Sequence, residues 1–362
     1  MSTRKLLLDA RMINSSGIGT YLKNVIPGLR KEVELALLGN PDELSGYADK
    51  EEIIRFCAPI YSIREQGIAL KRRGADVFWT PHYNVPLLSP GSKKRLVTIH
   101  DVFHLAYFNQ LTAAQKFYSR LMISAAVSLS DQIITVSQFS KEEIVRYTGC
   151  KPDKISVIYN GVRTEPVLKD PAGIRARYGL PEKYLLFVGN VKPHKNLKKL
   201  LEAYLLLAPS VREEFKVVIV GKKEGFITGD SGLISMVSST PELSENIHFT
   251  GFVADEDMDS IYALASLFVF PSLYEGFGLP PLEAMLNQCP VLSSNAACMP
   301  EVCGEAVVYF DPLNAAELSE KITHTLADGP LRNDLVEKGS MHIRKFRWES
   351  SVDEHLRLLR SL

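Results

Sequence analysis

Phe270-Pro271-Ser272-Leu273-Tyr274-Glu275-Gly276-Phe277-Gly278-Leu279-Pro280-Pro281-Leu282-Glu283-Ala284-Met285 is the stretch that decides the fold of this chain. The apolar run Leu267-Phe268-Val269-Phe270 predicts a buried strand that feeds a glycine-bearing loop. Pro280 and Pro281 predict a helix start, because proline fits the first helical turn. Glu275 then stands on the loop and Glu283 in the first turn of the helix, with seven residues between them. Strand, loop and helix in this order put two carboxylates at the carboxyl end of a strand, where open α/β sheets bind ligands.

Each part of the loop has its own chemistry. Free N–H groups at a helix start favour anions such as phosphate. Gly276 and Gly278 lack Cβ atoms and let the backbone approach a ligand closely. Ionised Glu275 and Glu283 only accept hydrogen bonds, so hydroxyls suit them. A ligand with both phosphates and vicinal diols meets these demands, and a nucleotide sugar is one. Taken singly, Glu275 also fits a solvated loop position, and Glu283 fits a charge that complements the helix dipole.

Strands and helices alternate along the whole chain, which predicts parallel sheets covered on both faces. In the first half, residues 5–9, 77–79, 95–99, 132–136 and 155–158 read as strands. Residues 19–29, 117–128 and 141–147 read as helices, the last with Ser140 as N-cap and Glu143 completing a capping box. The series restarts with strands at 184–188, 216–220, 247–249, 267–270, 291–292 and 306–310. Helices are expected at 197–207, 257–265 and 315–327. The expected fold class is α/β, with two Rossmann-like, doubly wound domains over residues 1–165 and 170–345. The polar stretch Thr164–Pro171 reads as the hinge, and the segment from Phe346 to Leu362 has helical periodicity.

Three further strings follow predicted strands. Ser16-Gly17-Ile18-Gly19-Thr20 opens a helix and reads either as a phosphate cradle or as a tight turn. Thr98-Ile99-His100-Asp101-Val102-Phe103-His104 sets polar residues at a strand's carboxyl end. His100 there suits donation to a sugar hydroxyl or toward a diphosphate, and equally suits a structural histidine. Asp101 suits holding the loop, and His104 an acceptor-side position. Val188-Gly189-Asn190-Val191-Lys192-Pro193-His194-Lys195-Asn196-Leu197 places Lys195 at a helix start, able to neutralise a departing diphosphate.

Composition narrows the class. The 362 residues suffice for two domains. Forty-two basic residues balance 42 acidic ones, which argues against a nucleic-acid-binding surface. Five cysteines without zinc spacing read as reduced thiols in a cytoplasmic setting. The apolar run after Lys5 is interrupted by Asp9 and reads as a strand rather than a signal peptide. Lys71-Arg72-Arg73 and Lys93-Lys94-Arg95 read either as solvated surface or as contacts to an anionic membrane face.

With these strings in place, the chain resembles the retaining GT-B glycosyltransferases that carry an E-x7-E motif, the family 4-like, group 1 enzymes. E-G-F-G-L-P-P-L-E-A-M carries the resemblance, supported by N-V-K-P-H-K-N-L. The resemblance implies two domains facing a central cleft, with the C-terminal helix, 346–362, packing back on the first domain through Trp348. It implies that Glu275 contacts the donor sugar and Glu283 the ribose, while the backbone of Phe277, Gly278 and Leu279 meets sugar and diphosphate. It places His100 on the donor sugar, Lys195 on the diphosphate, Gly17 and Gly19 near the phosphates, and Thr250-Gly251-Phe252-Val253 at the base. Many members carry arginine where this chain has Asn190, so Lys192 or His194 supplies the second cation, or one cation suffices.

The implied activity is transfer of a sugar from a nucleotide diphosphate donor to a saccharide or lipid-linked saccharide, with retention and without a metal or other cofactor. The strings look most like mannosyltransferases of surface-polysaccharide assembly, which makes GDP-mannose the first expectation and UDP-glucose or another UDP-sugar the second. A retaining glycosidase would leave Lys195 and the anion-suited loop without purpose. A sugar-nucleotide epimerase of the same fold and a two-lobed sugar-binding protein are the remaining alternatives.

Overall fold

The computed structural model describes residues 4–70, 74–221 and 231–362. The basic cluster Lys71-Arg72-Arg73 lies outside the described residues. The chain divides into two compact units, Met1–Gly161 with Trp348–Leu362, and Val162–Arg347.

The first unit is built on a seven-stranded sheet of β1 (Lys5–Asp9), β2 (Glu34–Gly39), β3 (Ile53–Arg55), β4 (Val77–Thr80), β5 (Lys94–Thr98), β6 (Gln132–Thr135) and β7 (Ile155–Val157). Their order is β3-β2-β1-β4-β5-β6-β7, and every pairing is parallel. The chain runs from β1 to one edge and then restarts at β4, so the topological switch falls between β1 and β4. β2 and β3 were not expected from the sequence. Glu34-Leu35-Ala36-Leu37-Leu38 consists of good helix formers, and only pairing with β1 makes it a strand.

Helix Trp348–Ser361 belongs to this unit. Its Trp348, Val352, Leu356 and Leu359 join Tyr21, Val25 and Leu29 of helix Ser16–Leu29 in one core. Gly28 permits the approach: a Cβ there would stand 2.6 Å from Val352 Cγ1. At the centre, the buried Tyr21 hydroxyl lies 2.5 Å from His355 Nε2, and Trp79 Nε1 donates to Thr98 Oγ1 at 2.9 Å. The N-cap of helix Gln138–Thr148 lies three residues before the expected one, because Ser137, not Ser140, accepts the cap bond, from Ser140 N.

The second unit holds β8 (Tyr184–Val188), β9 (Lys216–Val220), β10 (Ile247–Phe249), β11 (Leu267–Phe270), β12 (Val291–Ser294) and β13 (Val308–Phe310). Their order is β10-β9-β8-β11-β12-β13, all parallel. β8 and β11 lie side by side, which explains their nearly unbroken apolar sequences. The switch point of this sheet falls between them. The stretch read as a hinge is docked within this unit on helix Met258–Leu264. Val167 N donates to Asp259 Oδ2 at 2.7 Å and Lys169 N to Ser260 Oγ at 2.8 Å. The division therefore falls at Gly161–Val162, before that stretch.

Candidate active site

The loops that leave β8 and β11 meet at the switch point of the second sheet. Leu273 N donates to the carbonyl of His194 at 2.7 Å. Asn196 adopts a left-handed φ of 57°, which asparagine tolerates better than most residues. From there its Nδ2 reaches the carbonyls of Pro271 at 3.0 Å and Pro312 at 2.7 Å. This clamp sets Lys195 beside the glutamate loop. Lys195 Nζ stands 2.5 Å from Glu275 Oε1 and 5.9 Å from the centre of the Phe270 ring. The sequence assigns the two residues to different parts of a ligand; the structure pairs them with each other. Asn190 and Lys192 are exposed, and His194 is half-buried.

Helix Leu279–Leu286 begins at Gly278, whose φ of 89° is in the left-handed region. That conformation calls for glycine, whereas the nearest atom to a Cβ there, Met299 Cε at 2.4 Å, is the end of a flexible side chain. No side chain caps this start. Pro280 and Pro281 have no N–H, which leaves the amides of Gly278 and Leu279 as the donors an anion could use. Phe277 is buried, and its carbonyl accepts from Cys298 Sγ at 3.1 Å. After β10, Phe252 is 74% exposed whereas Val253 is buried.

Glu283 sits in the second turn, not the first, because the helix already starts at Leu279. It is therefore not a dipole-complementing charge. Burial pushes its carboxyl pKa up, opposed by the Tyr262 hydroxyl and by Arg163. Tyr262 donates to Glu283 Oε2 at 2.9 Å. Arg163 Nη2 is held at 2.5 Å by Asp259 Oδ1, which also accepts from Asn287 Nδ2 at 3.2 Å. Sequence reading missed Tyr262, Arg163, Asp259 and Asn287. They are polar residues scattered over separate elements, and no local spacing links them.

The first unit carries the other expected residues. Gly17 and Gly19 lie inside the first turn and a half of helix Ser16–Leu29. A Cβ on Gly19 would stand 2.5 Å from the carbonyl oxygen of Ile13, while a Cβ on Gly17 would meet nothing within 4 Å. His100 Nε2 lies 3.1 Å from the carbonyl of Pro81, and its ring stands edge-on to Tyr21 at 5.1 Å. A carbonyl only accepts, so Nε2 carries the proton and Nδ1 is the acceptor. Burial lowers the His100 pKa, partly offset by Asp101, which keeps the ring neutral at pH 7. The expected donation from His100 is thus already committed to Pro81, and toward a ligand hydroxyl its Nδ1 accepts. Asp101 Oδ1 accepts from Phe103 N at 2.9 Å and holds the loop. His104 Nδ1 lies 3.4 Å from the Tyr83 hydroxyl. Lys93 and Lys94 are matched by Asp76 at 2.7 Å and Asp131 at 3.0 Å, and Arg95 donates to the carbonyls of Pro86 and Leu88.

Comparison with known proteins converges on one family. Residues 174–342 match the model for glycosyl transferases group 1, and residues 15–166 match that for glycosyltransferase family 4. An O-antigen chain mannosyltransferase B of Escherichia coli is 28% identical over 295 residues, 80% of this chain and 76% of that protein. A serotype-specific mannosyltransferase WbdA of Escherichia coli is 29% identical over 74% of this chain, but that match spans only 34% of the longer WbdA. Among solved structures, the sucrose-phosphate synthase of Thermosynechococcus elongatus superposes over 99% of both chains with a TM-score of 0.78 at 19% identity. WaaG, a glycosyltransferase involved in lipopolysaccharide biosynthesis, gives a TM-score of 0.75 at 15% identity, covering 97% of this chain and 98% of that one. With the two family models matching one unit each and both sheets in the GT-B arrangement, the chain belongs to the group 1, family 4 glycosyltransferases.

Proposed function

We propose that the protein transfers mannose from GDP-mannose to a hydroxyl of a saccharide or lipid-linked saccharide in surface-polysaccharide synthesis, with retention at the anomeric carbon. The observation that carries the reading is the pairing of Lys195 with Glu275 at the switch point of the second sheet, where the β8 and β11 loops meet. The mannosyltransferase relatives favour mannose over other sugars.

In this reading the bond from the anomeric carbon to the β-phosphate oxygen breaks, and its electron pair leaves with GDP. The acceptor oxygen forms the new bond to that carbon, and its proton is released with the diphosphate. Lys195 and the amides of Gly278 and Leu279 stabilise the charge gathering on the diphosphate. Glu275 accepts hydrogen bonds from the sugar hydroxyls, and Glu283 accepts from the ribose. None of these residues acts as a nucleophile, and none needs a metal. The acceptor's lipid would bring the protein to the cytoplasmic membrane face, which pelleting with anionic vesicles tests.

The decisive experiment offers GDP-mannose, UDP-glucose and UDP-galactose in turn, with EDTA present, and measures nucleoside diphosphate release with and without acceptor. GDP release from GDP-mannose, with an α-linked product by NMR, is expected. Release from a UDP-sugar alone replaces the donor. No binding by any of them, with Lys195→Met and Glu275→Gln unchanged in every assay, overturns the reading.

A further inference from the structure

Two peptide groups bracket Glu275 in the loop after β11, and they are held alike on one side and differently on the other. β12 lies beside β11, with Phe270 paired to Ser293, so the segments leaving the two strands are neighbours. Ser294 Oγ donates to the carbonyl of Ser272 at 2.6 Å, and Cys298 Sγ donates to the carbonyl of Phe277 at 3.1 Å. One held carbonyl precedes Glu275 and the other follows it.

A trans peptide is planar, and its C=O and N–H point to opposite sides. The Ser272–Leu273 peptide is bound on both sides, since Leu273 N donates to the carbonyl of His194 at 2.7 Å. The Phe277–Gly278 peptide is bound on its carbonyl side. Its other side is open: Gly278 is buried, and its N–H has no partner among the described residues. Buried backbone N–H groups are almost always paired. An open one at the start of helix Leu279–Leu286 therefore marks a place for a ligand's acceptor atom.

Cys298 is fully buried and is kept in its donating form. Burial, and Glu275 nearby, hold its thiol pKa well above the ordinary value, so the proton stays on sulfur at neutral pH. The Tyr309 hydroxyl lies 2.7 Å from the carbonyl of Gly304 and 3.3 Å from that of Met299, which pins the helix Met299–Cys303 that follows Cys298. A thiol is a weak donor, yet it fixes the plane of the peptide that it holds. The two sides of a peptide also polarise each other. An acceptor on the Gly278 N–H draws charge onto the Phe277 oxygen and strengthens the bond from Cys298.

We infer that Cys298 is a positioning residue of the donor site: by holding the Phe277 carbonyl it turns the N–H on the far side of that peptide, on Gly278, toward the diphosphate of the nucleotide. The inference rests on the transferase reading for the diphosphate. Cys298 acts through the peptide alone.

Titration calorimetry on the full chain compares GDP or UDP, whichever the parent binds, with the matching nucleoside, which has no phosphate. Cys298→Ala is expected to weaken the diphosphate about three- to tenfold, as loss of one weak hydrogen bond would give, and to leave the nucleoside unchanged. Cys298→Ser, which keeps a donor on the same Cβ, should restore most of the affinity. Cys150→Ala, which removes a buried thiol 3.6 Å from the Lys151 carbonyl in the other unit, should match the parent. In infrared difference spectra, the S–H band that Cys298→Ser lacks should move to lower wavenumber when the diphosphate binds. A folded Cys298→Ala that binds the diphosphate as the parent does overturns the inference. So does equal weakening of nucleoside and diphosphate, the mark of a purely structural thiol. Should Cys298→Ala not fold, the infrared band decides, and an unmoved band overturns the inference. A parent that binds neither GDP nor UDP defeats the transferase reading and the inference with it; an indifferent Cys298→Ala beside a binding parent defeats the inference alone.

Discussion

Lys195 Nζ lies 2.5 Å from Glu275 Oε1, so the cation and the carboxylate that suit different parts of one ligand hold each other. Their side chains are only 20% and 13% exposed, so the contact is not an ordinary surface pair. A diphosphate approaching Lys195 must compete with Glu275. Lys195→Met is therefore expected to reduce the rise in melting temperature given by GDP, whereas Glu275→Gln frees the lysine and keeps or enlarges that rise. Both should lower turnover by roughly 10²-fold or more, since each loses an interaction made at the reacting centre. Equal loss of the GDP shift in the two variants would count against separate roles.

Glu283 receives the Tyr262 hydroxyl at 2.9 Å, which orients its carboxylate. Glu283→Gln should raise the donor KM about tenfold, the cost of roughly one charged hydrogen bond, with a smaller change in kcat. Tyr262→Phe should move KM in the same direction by less. Because burial raises the Glu283 pKa, donor affinity should begin to fall at a higher pH than for an ordinary glutamate as the solution is acidified. Titrations with 2′,3′-dideoxy-GDP, which lacks the diol, should show no effect of Glu283→Gln. A full effect with that analogue removes Glu283 from the ribose.

The second sheet was fully legible in the sequence because all six strands are short apolar or β-branched runs between turn signals. The first sheet was only partly so. β2 is spelled in helix-forming residues, and β3 is a three-residue edge strand. Helix Gly329–His342 was also missed, although Asp328 caps it and Pro330 stands in its first turn, which are readable signals. In the site, Lys195, Glu275 and Glu283 lie within the two motifs and could be found. Tyr262 and Arg163 reach Glu283 only through tertiary packing. Ser294 and Cys298 likewise reach the glutamate loop only because β12 lies beside β11, and no local pattern encodes it.

Gly17 and Gly19 separate a folding requirement from a functional one. Gly19→Ala would drive a Cβ to 2.5 Å from the fixed carbonyl of Ile13, so it should destabilise by about 1–3 kcal/mol. Gly17→Ala meets nothing within 4 Å, and alanine is the better helix former, so stability should hold or rise by a few tenths up to about 1 kcal/mol. If the helix start receives a ligand, Gly17→Ala nevertheless lowers kcat/KM. Urea unfolding and kinetics on both variants check this. A stable Gly17→Ala enzyme with full activity would leave Gly17 as a simple turn residue.

His355 gives the first unit an acid limit. Its Nδ1 lies 2.7 Å from the carbonyl of Ser351, so that nitrogen carries the proton, and Nε2 accepts from Tyr21. Burial lowers its pKa to about 4, below the ordinary 6.5. Above pH 6.5 the ring is neutral in both folded and unfolded chains, and its full contribution is present. As pH falls toward 4 the unfolded chain takes up the proton first, and stability drops by up to about 3 kcal/mol. His82, lowered to about 3, extends the same loss to lower pH. Melting temperature measured from pH 7.5 to 4 should therefore fall steadily. His355→Gln should be less stable at pH 7.5 yet show a shallower decline, since it keeps an acceptor for Tyr21 and has no proton to gain. An unchanged slope in that variant would assign the acid sensitivity to His82 or to the carboxylates instead.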